Sequence, residues 1–125
     1  MSSLSATVAT FPVAAARLRG QPSPHVLFSS TWCPDCTRAQ PAVLAAAAAA
    51  GVTLLVVDVG ERADWKNTAQ PHPLKGGAVR LRCIPTLLAW DVEAAAPGAR
   101  LDKELEVASD EKAVTALCAA LFARK

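Results

Sequence analysis

The chain reads as an α/β protein with a central mixed β-sheet flanked by helices on both faces, and three features of the sequence say so. Apolar runs at His25–Ser29 and Thr53–Val59 lack the polar alternation of a half-exposed strand, the pattern of strands covered on both sides. Between them, Pro34–Ala50 is alanine-rich and closed by Gly51, which predicts a helix. A strand–helix–strand order of this kind is a βαβ unit, with a parallel strand pair and a right-handed crossover. A third apolar run, Thr86–Asp91, follows Pro85 and supplies a further strand.

The remaining elements follow from local punctuation. Thr7–Thr10 has the composition of a short strand, and Phe11–Arg19, with Pro12 near its start and Gly20 at its end, predicts a helix. Gln21–Pro24 is the turn into the first buried strand. Residues 60–77 mix charges, prolines, glycines and Trp65, so they form a long excursion with at most short helices. Arg100–Val107 alternates Leu101, Leu105 and Val107 against charged residues, as an edge strand does. Asp110 is placed to N-cap a last helix in which Ala113, Val114, Leu117, Cys118 and Leu121 recur at helical spacing. The expectation is a single domain over residues 1–125.

Composition narrows the function. A chain of 125 residues that is 52% apolar supports one ordinary core. Thirteen Lys and Arg against 11 Asp and Glu give a net charge of +2 with no block of like charge, so no electrostatic footprint for nucleic acid or anionic lipid is visible. The longest apolar stretch, Ala42–Val57, is interrupted by Gly51 and Thr53 and falls short of a membrane span. Four cysteines are too few for a disulfide-stapled secreted module, which points to a reducing compartment, the cytoplasm. The first residues are free of acids before Asp35 and carry Arg17 and Arg19, traits shared with a mitochondrial presequence.

The chemistry is concentrated in Thr31-Trp32-Cys33-Pro34-Asp35-Cys36, where a buried strand turns into a helix. Pro34 suits the first helical turn because its missing N–H would have found no partner there, and this leaves Cys33 at the helix start. Free N–H groups and the positive end of the helix dipole favour a thiolate at that point. Cys36 lies one turn further in, close enough to attack a mixed disulfide on Cys33. Cys33 is therefore the candidate nucleophile and Cys36 the resolving thiol. The same spacing is also half of a zinc site, or an inert structural pair. A structural zinc needs four ligands, and His25, His72, Cys83 and Cys118 are scattered singles, so no metal is expected.

With Pro41 five residues beyond the second cysteine and Arg82-Cys83-Ile84-Pro85-Thr86-Leu87-Leu88 downstream, the sequence resembles a thioredoxin fold with its active-site helix and cis-proline loop. Pro34-Asp35 between the cysteines, Val57-Asp58-Val59-Gly60-Glu61 and Trp65-Lys66-Asn67 narrow the match to the thioredoxin domain-containing protein 17 family, over nearly the whole chain. The resemblance implies a cytosolic disulfide reductase whose redox centre is the Cys33–Cys36 pair, with no other cofactor. Its electrons would come from a thioredoxin reductase or another dithiol donor, and its substrates would be disulfide-containing proteins or small molecules. The resemblance also makes Pro85 the cis-proline, Ile84 the residue whose backbone meets a substrate, and Trp32 a shield over the cysteines. There are two departures from the family pattern. The segment between Ser29 and Trp32 is shorter than in animal members, and Leu27 stands where ordinary thioredoxins place a buried aspartate, leaving water or Asp35 to serve Cys36 with protons.

Other residues near the motif carry weaker signals. Trp65 and Lys66 lie where the C-terminal ends of parallel strands gather functional loops, and are candidates for facing a substrate; Trp65 is equally suited to plugging its loop onto the core. Cys83 occupies a position that is glycine in many thioredoxins, and is a candidate regulatory thiol at the rim. Two further function classes remain open: a binding module that uses the groove near Pro85 without turnover, and a metal carrier through Cys33 and Cys36. Retention of both cysteines and Pro34 favours the reductase, since a binding module needs neither.

Overall fold

The βαβ unit at the centre of the chain organises the rest. In the computed structural model, which describes residues 3–108 and 110–124, β2 (Pro24–Ser29) leads through α2 (Pro34–Ala50) to β3 (Thr53–Asp58), and the two strands pair in parallel, Val26 beside Leu55 and Phe28 beside Val57. α2 stops because Gly51 takes a left-handed conformation at φ 70°, open to glycine without strain. β1 (Ser3–Thr7) adds to β3 in parallel, β4 (Thr86–Asp91) adds to β2 antiparallel, and β5 (Ala96–Leu101) closes the far edge. The order across the sheet is β1-β3-β2-β4-β5, a mixed sheet as expected. The expected single-domain span includes residues 1, 2, 109 and 125, which lie outside the described residues.

Strand side chains alternate between two apolar layers, which is why the central strands show no polar alternation. On one face Val26, Phe28, Leu55, Val57, Leu88 and Trp90 pack against α1 (Phe11–Ala16), whose Phe11 meets Phe28 and Trp90 edge-on at 5.4 and 5.5 Å. On the other, Leu27, Leu54 and Leu87 pack against α2 and α5 (Glu111–Phe122). The alanines of α2 allow close approach: Ala39, Ala42, Ala46 and Ala47 are buried beside Val114, Cys118 and Leu121 of α5. Asp110 caps α5 as expected, accepting from the Ala113 N–H at 2.8 Å.

Two expected strands are corrected. Of Thr7–Thr10 only Thr7 is strand, the last residue of β1; Val8–Thr10 is a turn, closed by the Thr7 N–H donating to Thr10 Oγ1 at 2.9 Å. Arg100–Val107 is edge strand only at Arg100 and Leu101. β5 ends at Leu101, Asp102 accepts from the Lys103 N–H at 2.6 Å, and α4 (Lys103–Val107) begins there. The capping carboxylate converts the apparent alternation into a helix that buries Leu105 and leaves Val107 exposed. α1 is also shorter than expected, ending at Ala16 before a turn through Gly20. The long excursion holds only α3 (Arg62–Trp65) and a 3-10 turn at Pro73–Lys75.

Candidate active site

The β2–α2 junction presents Cys33 as the N-cap of a long helix. Its backbone is extended, φ −94° and ψ 115°, and Pro34 opens the first turn. The Cys33 sulfur accepts a hydrogen bond from the Cys36 N–H at 3.3 Å, so a helix-terminal donor faces the sulfur that sits next to the surface. Cys33 and Cys36 are not joined by a disulfide in the structure. Cys36 is fully buried, and burial, followed by the interaction with the Cys33 thiol, pushes its pKa up to about 12. The pair is thus asymmetric: one sulfur at the helix terminus near the surface, and one held protonated behind it.

The loop before β4 closes over the pair. The Ile84–Pro85 peptide is cis, and the Cys33 thiol lies 3.8 Å from the Ile84 carbonyl oxygen. Thr86 Oγ1 donates to the Cys83 carbonyl at 2.8 Å and fixes the turn. Half-buried Trp32 donates its indole N–H to the Gly60 carbonyl at 2.7 Å, tying the β2–α2 loop before the cysteines to the loop after β3. Gly60 supplies φ 95° there, a conformation that favours glycine.

Asp35 accepts from Arg38 at 2.8 Å, and Arg38 also donates to the Leu105 and Glu106 carbonyls at 3.4 and 3.2 Å, so the first turn of α2 is stapled to α4. Asp35 is engaged on the outer side of the helix.

These residues border one groove of about 640 Å³ that includes Trp32, Cys33, Pro34, Asp35, Trp65, Lys66, Cys83 and Ile84. Every site residue singled out in the sequence lines it except the buried Cys36 and Pro85. Trp65 is mostly buried, edge-on to His72 at 5.1 Å, with Lys75 Nζ 4.3 Å over its ring and donating to its carbonyl at 2.6 Å. It plugs the excursion onto the core while one side faces the groove, whereas Lys66 is exposed. Cys83 is half-buried, and burial, together with Asp102 and Glu106, pushes its pKa up. Cys118, on the buried face of α5, is pushed up to about 11 by burial alone.

Sequence reasoning missed three supports. His72 is buried, its Nε2 bonded to the Val59 carbonyl at 2.7 Å and its Nδ1 accepting from the Leu74 N–H at 3.1 Å. His25 is buried against Phe122, and burial lowers its pKa. Arg82 binds buried Asp102 through two donors, at 3.1 and 2.8 Å, and so anchors the segment before Ile84. Only the Asp102 cap had a sequence signal, an acid directly before a Lys-Glu helix start.

Burial works to raise the Asp102 pKa, but the hydrogen bonds from Arg82 and the Lys103 N–H outweigh it and hold the carboxyl below its usual range. A depressed folded-state pKa contributes stability that is present above the unfolded value of about 3.9 and is lost as pH falls through the folded value. Asp102→Asn should therefore lower stability at pH 7 by about 1–2 kcal/mol and flatten the acid limb of the stability curve below about pH 4. Urea midpoints at neutral and acid pH check both.

Among the described residues no group of three or more His, Cys, Asp or Glu is arranged to hold a metal, and no helix is long and apolar enough to cross a membrane.

This architecture is similar to two solved thioredoxins at identities that speak for the fold alone. One is oxidised thioredoxin O1 from Arabidopsis thaliana, at 17% identity and a TM-score of 0.58, covering 98% of this chain and 99% of that one. The other is a mutant thioredoxin from Halobacterium salinarum, at 15% identity and a TM-score of 0.60, covering 99% and 94%. In sequence, the chain is 40% identical over 94 residues to the thioredoxin-like protein Clot of Oryza sativa subsp. japonica, covering 69% of this chain and 65% of that relative's length. Residues 25–111, from β2 through the cysteine helix and the Ile84–Pro85 loop into α5, match the profile of the thioredoxin domain of thioredoxin domain-containing protein 17-like proteins. The chain is a thioredoxin-fold protein and belongs to the thioredoxin domain-containing protein 17-like family.

Proposed function

We propose that this chain is a protein-disulfide reductase that works through Cys33 and Cys36. The observation that carries the reading is the asymmetry of the pair: the Cys33 sulfur faces a helix-terminal N–H and borders the groove, while Cys36 is buried and held as a thiol. Cys33 attacks one sulfur of a substrate disulfide, and the other substrate sulfur leaves as a thiolate. Cys36 then loses its proton and attacks Cys33, the mixed disulfide breaks, and the second substrate sulfur leaves. Two electrons pass to the substrate and a Cys33–Cys36 disulfide remains, to be reduced by a thioredoxin reductase or another dithiol donor. That disulfide is the only redox group the reaction requires.

The surrounding residues have supporting roles in this reading. The Ile84 carbonyl beside Cys33 gives an extended substrate chain a backbone partner, and Pro85 holds that loop. Trp32 covers one side of the sulfur, Pro34 and Asp35 shape the helix start, and Trp65 and Lys66 form the opposite wall. A metal carrier would need ligands beyond the two thiols. The single sheet, covered on both faces, supports one domain over residues 1–125, and the reducing chemistry suits the cytoplasm.

The test is catalysis of protein-disulfide reduction by a small dithiol, with and without the protein. Acceleration is expected, and Cys83→Ser should match the unaltered chain. Cys83 is pushed toward the thiol form, which slows its attack and its oxidation relative to Cys33, and the two-cysteine cycle has no step for it. If an oxidant-induced dimer forms on a non-reducing gel, Cys83→Ser should remove it. A Cys83→Ser chain as inactive as Cys33→Ser would replace the two-thiol cycle with a three-thiol relay.

A further inference from the structure

In the resolving step a fully buried thiol must release its proton. Leu27 offers no carboxylate, and Asp35 is engaged with Arg38 on the outside of the helix. On the opposite side of the α2 start lies a second pocket, about 250 Å³, that the groove chemistry does not use. Ser29, Ser30, Thr31 and Gln40 line it, and its volume admits several waters. Ser29 and Ser30 are buried beside Cys36, and the Ser30 backbone N–H and the Ser29 side chain act to lower its pKa against the upward push of burial. Gln40, one helical turn after Cys36, accepts from Ser29 Oγ at 2.8 Å. The Ser30 hydroxyl is buried with no hydrogen-bond partner, the condition of a group that completes its bonding with water.

We propose that this rear pocket is the proton port of the resolving step, in which Ser29 donates a hydrogen bond to the forming Cys36 thiolate, Gln40 positions Ser29, and pocket water carries the proton out. The proposal rests on the reductase reading and extends it to the second half of the cycle. While Cys36 is a thiol, Ser29 donates to Gln40 and turns a lone pair toward the S–H. As the proton passes to pocket water, Ser29 rotates to donate to the sulfur, and the Gln40 amide, which carries both donor and acceptor, supports the hydroxyl in either orientation. The thiolate then attacks Cys33, the bond from Cys33 to the substrate sulfur breaks, and that sulfur leaves with the electron pair. When a dithiol donor reduces the Cys33–Cys36 disulfide, the proton returns by the same route. Cys33, the N-cap of α2, is the titratable group whose charge acts on Cys36, and Asp58 on β3, paired in register with Ser29, lines the pocket.

Single-turnover reaction of the full chain with the chromogenic aromatic disulfide dithiobis(nitrobenzoate) separates the two halves. The first thiolate released reports attack by Cys33 and the second reports resolution by Cys36. Ser29→Ala should leave the first release unchanged and slow the second by about tenfold, the worth of one hydrogen bond to a charged atom. The pH at which the second release is half-maximal should move up, and Ser29→Thr, which keeps the hydroxyl, should restore both. Gln40→Leu, at a half-buried helix position, should slow only the second release. A second release unchanged in rate and pH profile in both variants overturns the port, as does equal slowing of both releases. If the unaltered protein releases no thiolate at all, the reductase reading fails, and the port fails with it.

Discussion

Cys33→Ser is expected to lower disulfide reduction by at least ~10³-fold, the scale on which loss of a nucleophile acts. No other sulfur can substitute. Cys36 and Cys118 are fully buried and pushed up to about 12 and 11, and Cys83 is half-buried and also pushed up. Cys36→Ser should behave differently: Cys33 still attacks, but nothing resolves the adduct, so the protein accumulates as mixed disulfides visible by intact mass or on a non-reducing gel. Alkylation should label Cys33 ahead of Cys36 for the same reason. The reverse order, or adducts trapped by Cys33→Ser instead, would exchange the two roles.

Leu27→Asp is expected to destabilise the fold by ~4 kcal/mol or more, because it places a carboxyl without a partner in a fully packed layer. Leu27 has no exposed surface and sits among Leu54, Leu87 and Leu105 between the sheet and the α2–α5 face. For a chain of this length that corresponds to a fall in melting temperature of roughly 10–20 °C. Calorimetry or a urea titration decides it. A variant as stable as the unaltered chain would show that this layer already accommodates a polar group, and the reason for a separate route to Cys36 would weaken.

What the sequence disclosed depended on how local the determining contacts were. α2 runs from Pro34 to Ala50 and β4 from Thr86 to Asp91, as expected, since proline and glycine set the ends of the first and a continuous apolar run bounded by Pro85 defines the second. Leu101, Leu105 and Val107 misled because their even spacing reads as one strand, whereas Leu101 ends β5 and Leu105 and Val107 lie on opposite faces of α4; what decides is the Asp102 side chain on the Lys103 N–H. Thr7–Thr10 misled because threonine suits strands, while here two threonine side chains close a turn on each other. The cysteine pair was legible because its spacing and the strand-to-helix position are local. Its supports were not, because Trp32 to Gly60, Arg38 to Leu105 and Arg82 to Asp102 join residues far apart in the chain, and no pattern within one segment announces them. Ser29 and Gln40 were hidden in the same way, in the strand and helix on either side of the motif.

The central claim is that Cys33 and Cys36 form one reversible two-electron couple poised for reduction. Equilibration with graded dithiol–disulfide buffers, an alkylating quench and mass analysis of the Cys33–Cys36 peptide test it directly. The account predicts an intramolecular disulfide that titrates with two electrons and a potential below about −200 mV, in the range of reducing thioredoxin-type proteins. Absence of a Cys33–Cys36 disulfide across that range, or a potential near about −120 mV, that of a strong thiol oxidant, would contradict it.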